Sequence, residues 1–76
     1  MNISIEYCNA WNYLPRAASM ATKLLEKYGN SITNFSLTPS GGGVYEVEKN
    51  GKLIFSKKSL DRFPELDEII ALIDEK

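Results

Sequence analysis

From Asn2 to Tyr7 the chain alternates, with apolar Ile3, Ile5 and Tyr7 separated by polar Ser4 and Glu6. That period of two predicts a first strand with one buried face. The alternation breaks at Cys8-Asn9-Ala10-Trp11-Asn12-Tyr13, where the asparagines offer helix caps, so Cys8 falls at a strand-to-helix junction. Leu14, Ala17, Ala18, Ala21, Leu24, Leu25 and Tyr28 then recur at spacings of three and four, the stripe of an amphipathic helix stopped by Gly29. Pro15 restricts its start. With Asn12 as the cap, Pro15 occupies the first turn, where its missing N–H costs nothing; with Asn9 as the cap it would lie inside and kink the helix, and the first placement is preferred.

Ser31 to Thr38 predicts a second strand whose two faces differ less, and Pro39-Ser40-Gly41-Gly42-Gly43 predicts a loop. Val44 to Glu48 and Lys52 to Ser56 flank Asn50-Gly51, the pair that suits a type I′ turn, and predict a β-hairpin. After the charged stretch Lys57 to Arg62, the positions Leu66, Ile69, Ile70 and Ile73 mark a second helix, with Pro64 near its start and Glu65, Asp67 and Glu68 in its first turn. The element order is βαβββα. Strands one and two, joined through a helix, should run parallel, with the hairpin extending the same sheet antiparallel and the two helices covering its apolar surface. This is an α/β (α+β) four-stranded mixed sheet.

Length limits this to one domain over residues 1–76, because a chain of 76 residues builds one modest core. Apolar residues at 43% and charged ones at 25% match ordinary globular proteins and exclude disorder or a fibrous repeat. Nine basic and ten acidic residues, net −1, supply no positive field for nucleic acid. The longest apolar run, Ile69 to Ile73, is too short to cross a bilayer, and no signal peptide pattern begins the chain; a cytoplasmic protein without membrane contact is expected.

One cysteine and no histidine narrow the chemistry further. No intramolecular disulfide, no Cys-His or Ser-His-Asp pair and no Cys/His zinc site can be assembled within one chain. The acidic residues at the second helix start have a sufficient role in complementing the helix dipole, so no metal is expected. The glycine triplet lacks the Lys-Ser/Thr of a phosphate loop and precedes a strand, so it is read as a turn.

Several blocks now align with one family. Ile5-Glu6-Tyr7-Cys8, Leu14-Pro15-Arg16-Ala17-Ala18, Gly42-Gly43-Val44-Tyr45-Glu46-Val47, Asn50-Gly51-Lys52-Leu53-Ile54-Phe55-Ser56-Lys57-Lys58 and Arg62-Phe63-Pro64-Glu65 fall in order across nearly the whole chain. They resemble the selenoprotein W-like (Rdx) family, and the resemblance implies a thioredoxin-like fold and a redox role for Cys8. The family usually carries a second Cys or a selenocysteine three positions after the first. Here that position is Trp11, so neither a CxxC nor a CxxU couple is intact. Without a resolving group the intramolecular half of a thiol–disulfide cycle is missing.

The resemblance therefore implies a monothiol, oxidoreductase-like at most, in which Cys8 is the catalytic residue. It would form mixed disulfides with glutathione or protein thiols in cell redox homeostasis, with glutathione as co-substrate and no bound cofactor. Because UGA and UGG differ in one base, Trp11 also fits a Trp-substituted form of a selenocysteine protein. A second reading is a non-catalytic thioredoxin-like module that captures a protein partner, with Cys8 as a small buried hydrophobe. Both readings make Trp11, Tyr13, Gly41, Gly42 and Gly43 the ligand or partner surface. Tyr7, Tyr13 and Phe63 are expected to pack, or to form an apolar collar around Cys8, and Lys57, Lys58 and Arg62 are read as solvated surface.

Overall fold

The computed structural model describes residues 1–75. Its elements are β1 (Asn2–Cys8), α1 (Leu14–Tyr28), a 3-10 turn (Gly29–Ser31), β2 (Asn34–Ser40), β3 (Tyr45–Lys49), β4 (Lys52–Ser56), α2 (Lys57–Leu60) and α3 (Leu66–Asp74). The strands form one four-stranded sheet in the order β2-β1-β3-β4. β1 pairs parallel with β2 and antiparallel with β3, as the alternation and the helical connection predict.

Register decides which side chains share a face. Ile5 lies opposite Leu37 on one side and Val47 on the other, and Tyr7 lies opposite Tyr45. With Ile3 and Phe55 these residues build a core closed by Ala17, Met20 and Leu24 of α1 and Ile69 and Ile73 of α3. The alternate positions Ser4, Glu6, Ser36, Thr38, Glu46 and Glu48 are polar and make the opposite face of the sheet. The layers are thus a sheet with α1 and α3 packed on its apolar side. No helix among the described residues is long and apolar enough to cross a membrane.

The hairpin turns as its sequence requires. Asn50 and Gly51 adopt φ of 53° and 81°, and the Asn50 N–H donates to the Asn2 carbonyl at 2.8 Å, which ties the hairpin tip to the start of the central strand. The pairing shifts between Val47 and Glu48, a bulge that takes Ile54 out of the ladder.

Four local features depart from the sequence pattern. Tyr13, not Asn12, precedes α1; Asn12 takes the left-handed conformation at φ 60°, which asparagine tolerates, and Pro15 still falls in the first turn. The buried face of α1 uses Met20, while Leu14 and Leu25 of the expected stripe are exposed. β2 runs to Ser40 through Pro39, which an edge strand accepts because its outer N–H has no partner to lose. A one-turn helix, α2, follows β4 directly, nucleated by Ser56, whose Oγ accepts the Ser59 N–H at 3.1 Å and donates to Glu46 Oε1 at 2.5 Å.

Candidate functional site

Cys8 ends the central strand β1, and backbone hydrogen bonds clamp it from both sides. Its N–H donates to the Val44 carbonyl at 2.9 Å, and its own carbonyl accepts the Tyr13 N–H at 3.1 Å. The next residue, Asn9, donates its N–H to the Ser40 carbonyl at 2.9 Å. Segments 9–13 and 40–44 are therefore held together at this end of the sheet. Three of their residues take positive φ, Asn12 at 60°, Gly42 at 70° and Gly43 at 72°.

Trp11 settles onto Gly43. A Cβ built at Gly43 would overlap the indole, lying 2.9 Å from Cε3 and closer still to Cζ3, so only glycine permits this approach. Trp11 nevertheless remains 63% exposed. From it an aromatic ladder runs across the surface: Trp11 meets Tyr13 edge-on with centroids 6.2 Å apart, Tyr13 meets Phe63 at 4.7 Å, and Phe63 meets the buried Tyr45 at 5.5 Å. Arg16 lies 4.0 Å over the Phe63 ring, and Lys57 Nζ stands 5.6 Å from Tyr13 and 5.3 Å from Phe63. Burial pushes the Tyr45 phenol up to about 12, so it remains neutral across the physiological range.

The structure brings Cys8, Trp11, Tyr13 and the Gly41–Gly43 loop to one end of the molecule, as the sequence reading placed them. It also sets a condition on Cys8, which is fully buried at 0% exposure. In the pleat of β1, Cys8 alternates with Tyr7, so Tyr7 joins the helix-facing core and makes no collar around the thiol. Leu14, the first helical residue, comes six positions after Cys8, and the peptide N–H groups at that end lie beyond the turn that follows the thiol.

Arg62 belongs elsewhere. It grips Glu68 with its two terminal guanidinium nitrogens, at 2.8 and 2.6 Å, which holds the Glu68 carboxyl below the usual glutamate range. Glu65 and Glu68 close a capping box on α3, giving the acidic run its structural role. Among the described residues no cluster of three or more His, Cys, Asp or Glu is placed to hold a metal ion. The part played by Arg16 was not legible in the sequence, because nothing local signals that it stacks on a ring 47 positions away.

Known proteins share this fold. The sequence model of the Rdx family matches residues 2–75. Selenoprotein W of Danio rerio is 35% identical over 68 residues, spanning 88% of this chain and 79% of that protein. The crystal structure of a Bordetella parapertussis protein superposes with a TM-score of 0.91 at 32% identity, covering 95% of this chain and 91% of the other. That of a selenoprotein W-related protein from Vibrio cholerae does so with 0.90 at 30% identity, covering 95% and 90%. With a thioredoxin-like sheet, a cysteine closing its central strand and sequence matches from one end to the other, the chain belongs to the Rdx family, the family of selenoprotein W-related proteins.

Proposed function

We propose that this protein acts in cytoplasmic redox homeostasis as a monothiol, with Cys8 forming mixed disulfides with glutathione or protein thiols. The observation that carries this reading is the position of Cys8, at the end of the central strand of an Rdx-family fold and beside an adaptable glycine loop. The Cys8 thiolate attacks one sulfur of a disulfide such as oxidised glutathione; a new S–S bond forms and a glutathione thiolate leaves. An external thiolate then attacks the mixed disulfide and releases Cys8, so a donor outside the chain supplies the electrons that Trp11 cannot. Burial adds a step before the chemistry. Segments 9–13 and 40–44 must part locally to expose the sulfur, an opening with its own free-energy cost.

Mass spectrometry after treatment with oxidised glutathione under native conditions tests this. The expected result is an adduct at Cys8 that forms faster than the protein globally unfolds and is absent from Cys8→Ser. An adduct that appears only in denaturant sinks the proposal.

Full burial of the thiol beside an exposed Trp11 favours a second reading, a non-catalytic partner-binding module centred on Trp11, Tyr13 and the Gly41–Gly43 loop. In that case Trp11→Ala weakens partner capture whereas Cys8→Ser leaves it unchanged. Equal loss in both variants would contradict it.

A further inference from the structure

Between α1 and the segment leading into α3 lies a cavity of about 410 Å³. Its apolar lining includes Met20, Tyr45 and Phe63, and its polar wall is a stripe of α1 made of Arg16, Ser19 and Lys23 at spacings of three and four. Glu65 is the one carboxylate in this lining, and its side chain already accepts the Glu68 N–H in the capping box. Among the described residues the only ion pair is Arg62–Glu68, so Arg16 and Lys23 carry no carboxylate partner.

We propose that this pocket binds an acidic peptide segment of a partner protein, holding a glutamate or aspartate side chain between Arg16 and Lys23. Arg16 is prepared for the role: its guanidinium stacks 4.0 Å from the Phe63 centroid, which leaves in-plane N–H groups to meet a carboxylate in a two-pronged bond. Ser19 adds a hydroxyl donor on the same helical stripe. The space and its apolar lining exceed what a bare anion needs and suit a carboxylate carried on methylenes beside an apolar neighbour. Phe63 and Tyr45 line the pocket and also end the aromatic ladder, so a peptide leaving the pocket meets Tyr13 and then Trp11, with Lys57 above the rings. Binding in this pocket does not require Cys8 to react.

The test is a titration of the nitrogen-15-labelled wild-type protein under reducing conditions, followed by amide NMR. Three probes are added separately: an acetylated, amidated peptide of alternating glutamate and leucine, its glutamine counterpart, and sodium acetate. Saturable shifts centred on residues 16–23, 45, 63, 65 and 66, and extending to Tyr13 and Trp11, are expected with the acidic peptide. Affinity should fall about ten-fold for the glutamine peptide and in Arg16→Gln or Lys23→Gln, the factor for one lost charge-assisted hydrogen bond. Lys27→Gln, on the same helix outside the pocket, should bind as wild type. Absence of saturable shifts, equal binding of the glutamine peptide, or undiminished binding in both Arg16→Gln and Lys23→Gln overturns the proposal. Acetate giving the same shifts at the same concentration overturns the peptide as ligand and leaves a free-carboxylate site. Arg16 and Lys23 are exposed on the helix, and dispersed spectra for each variant establish that loss of binding is not loss of fold.

Discussion

Replacing Gly43 by alanine tests the packing beside Cys8 most directly, because two separable costs meet at one atom. The backbone sits at φ 72°, where a Cβ costs about 1–2 kcal/mol. The same Cβ overlaps the Trp11 ring, which must swing away. Trp11 is 63% exposed, so displacing it returns to water only the remaining third, about 60–90 Å² of a side chain of this size. At about 25 cal/mol per Å² that costs about 2 kcal/mol. Gly43→Ala is therefore expected to destabilise by about 3–4 kcal/mol in the wild-type background and by only about 1–2 kcal/mol in Trp11→Ala, where no ring remains to be displaced. Urea unfolding of the four proteins, followed by circular dichroism so that the signal does not depend on Trp11, gives the coupling. An alanine cost that is the same in both backgrounds, within about 0.3 kcal/mol, refutes the contact as an energetic feature and leaves only the backbone strain.

Three further outcomes follow from the geometry. Tyr45 has a folded pKa raised to about 12 by burial, above its unfolded value of about 10, so its contribution is complete below pH 10 and is lost as pH rises toward 12; Tyr45→Phe should remove about 2–3 kcal/mol of that alkaline loss, and parallel pH–stability curves would count against it. Glu68 is depressed by its hydrogen bonds from Arg62, so the stability it confers is present above the ordinary glutamate pKa and disappears as pH falls through the lower folded value; Arg62→Gln should flatten the acid limb, and an unchanged limb contradicts the pairing. Trp11→Cys places a second thiol three positions after Cys8 and should confer disulfide reductase activity with a dithiol donor, whereas a folded but inactive variant would show that this end of the chain does not hold the two sulfurs in working geometry.

How far the fold was legible depended on whether the deciding interaction was local. Alternation at Ile3, Ile5 and Tyr7, the Asn50-Gly51 turn and the helix stop at Gly29 are fixed by neighbours within a few residues, and each appears where the pattern placed it. α2 was hidden because its nucleus is one hydroxyl, Ser56, steadied by Glu46 from the adjacent strand. Likewise the choice of Met20 over Leu14 and Leu25 as buried residues depends on where the sheet lies under α1, which helical periodicity does not specify.

The same distinction governs the candidate site. Cys8 could be located from β1 and the family motif, but its full burial, and its pairing with Ser40 and Val44 from distant parts of the chain, are not encoded in sequence spacing. Trp11 stood out in the sequence as the residue three positions after Cys8, but its contact with Gly43 was not legible there. Its ring rests on Gly43 and begins a ladder that reaches Phe63, so the residue three positions after Cys8 helps to organise the surface at this end of the sheet. A small cysteine at position 11 would leave Gly43 uncovered and free the space the indole fills. Under the monothiol role proposed above, Trp11 therefore bears on two properties together, the absence of a second thiol beside Cys8 and the packing of the loop that Gly43 belongs to.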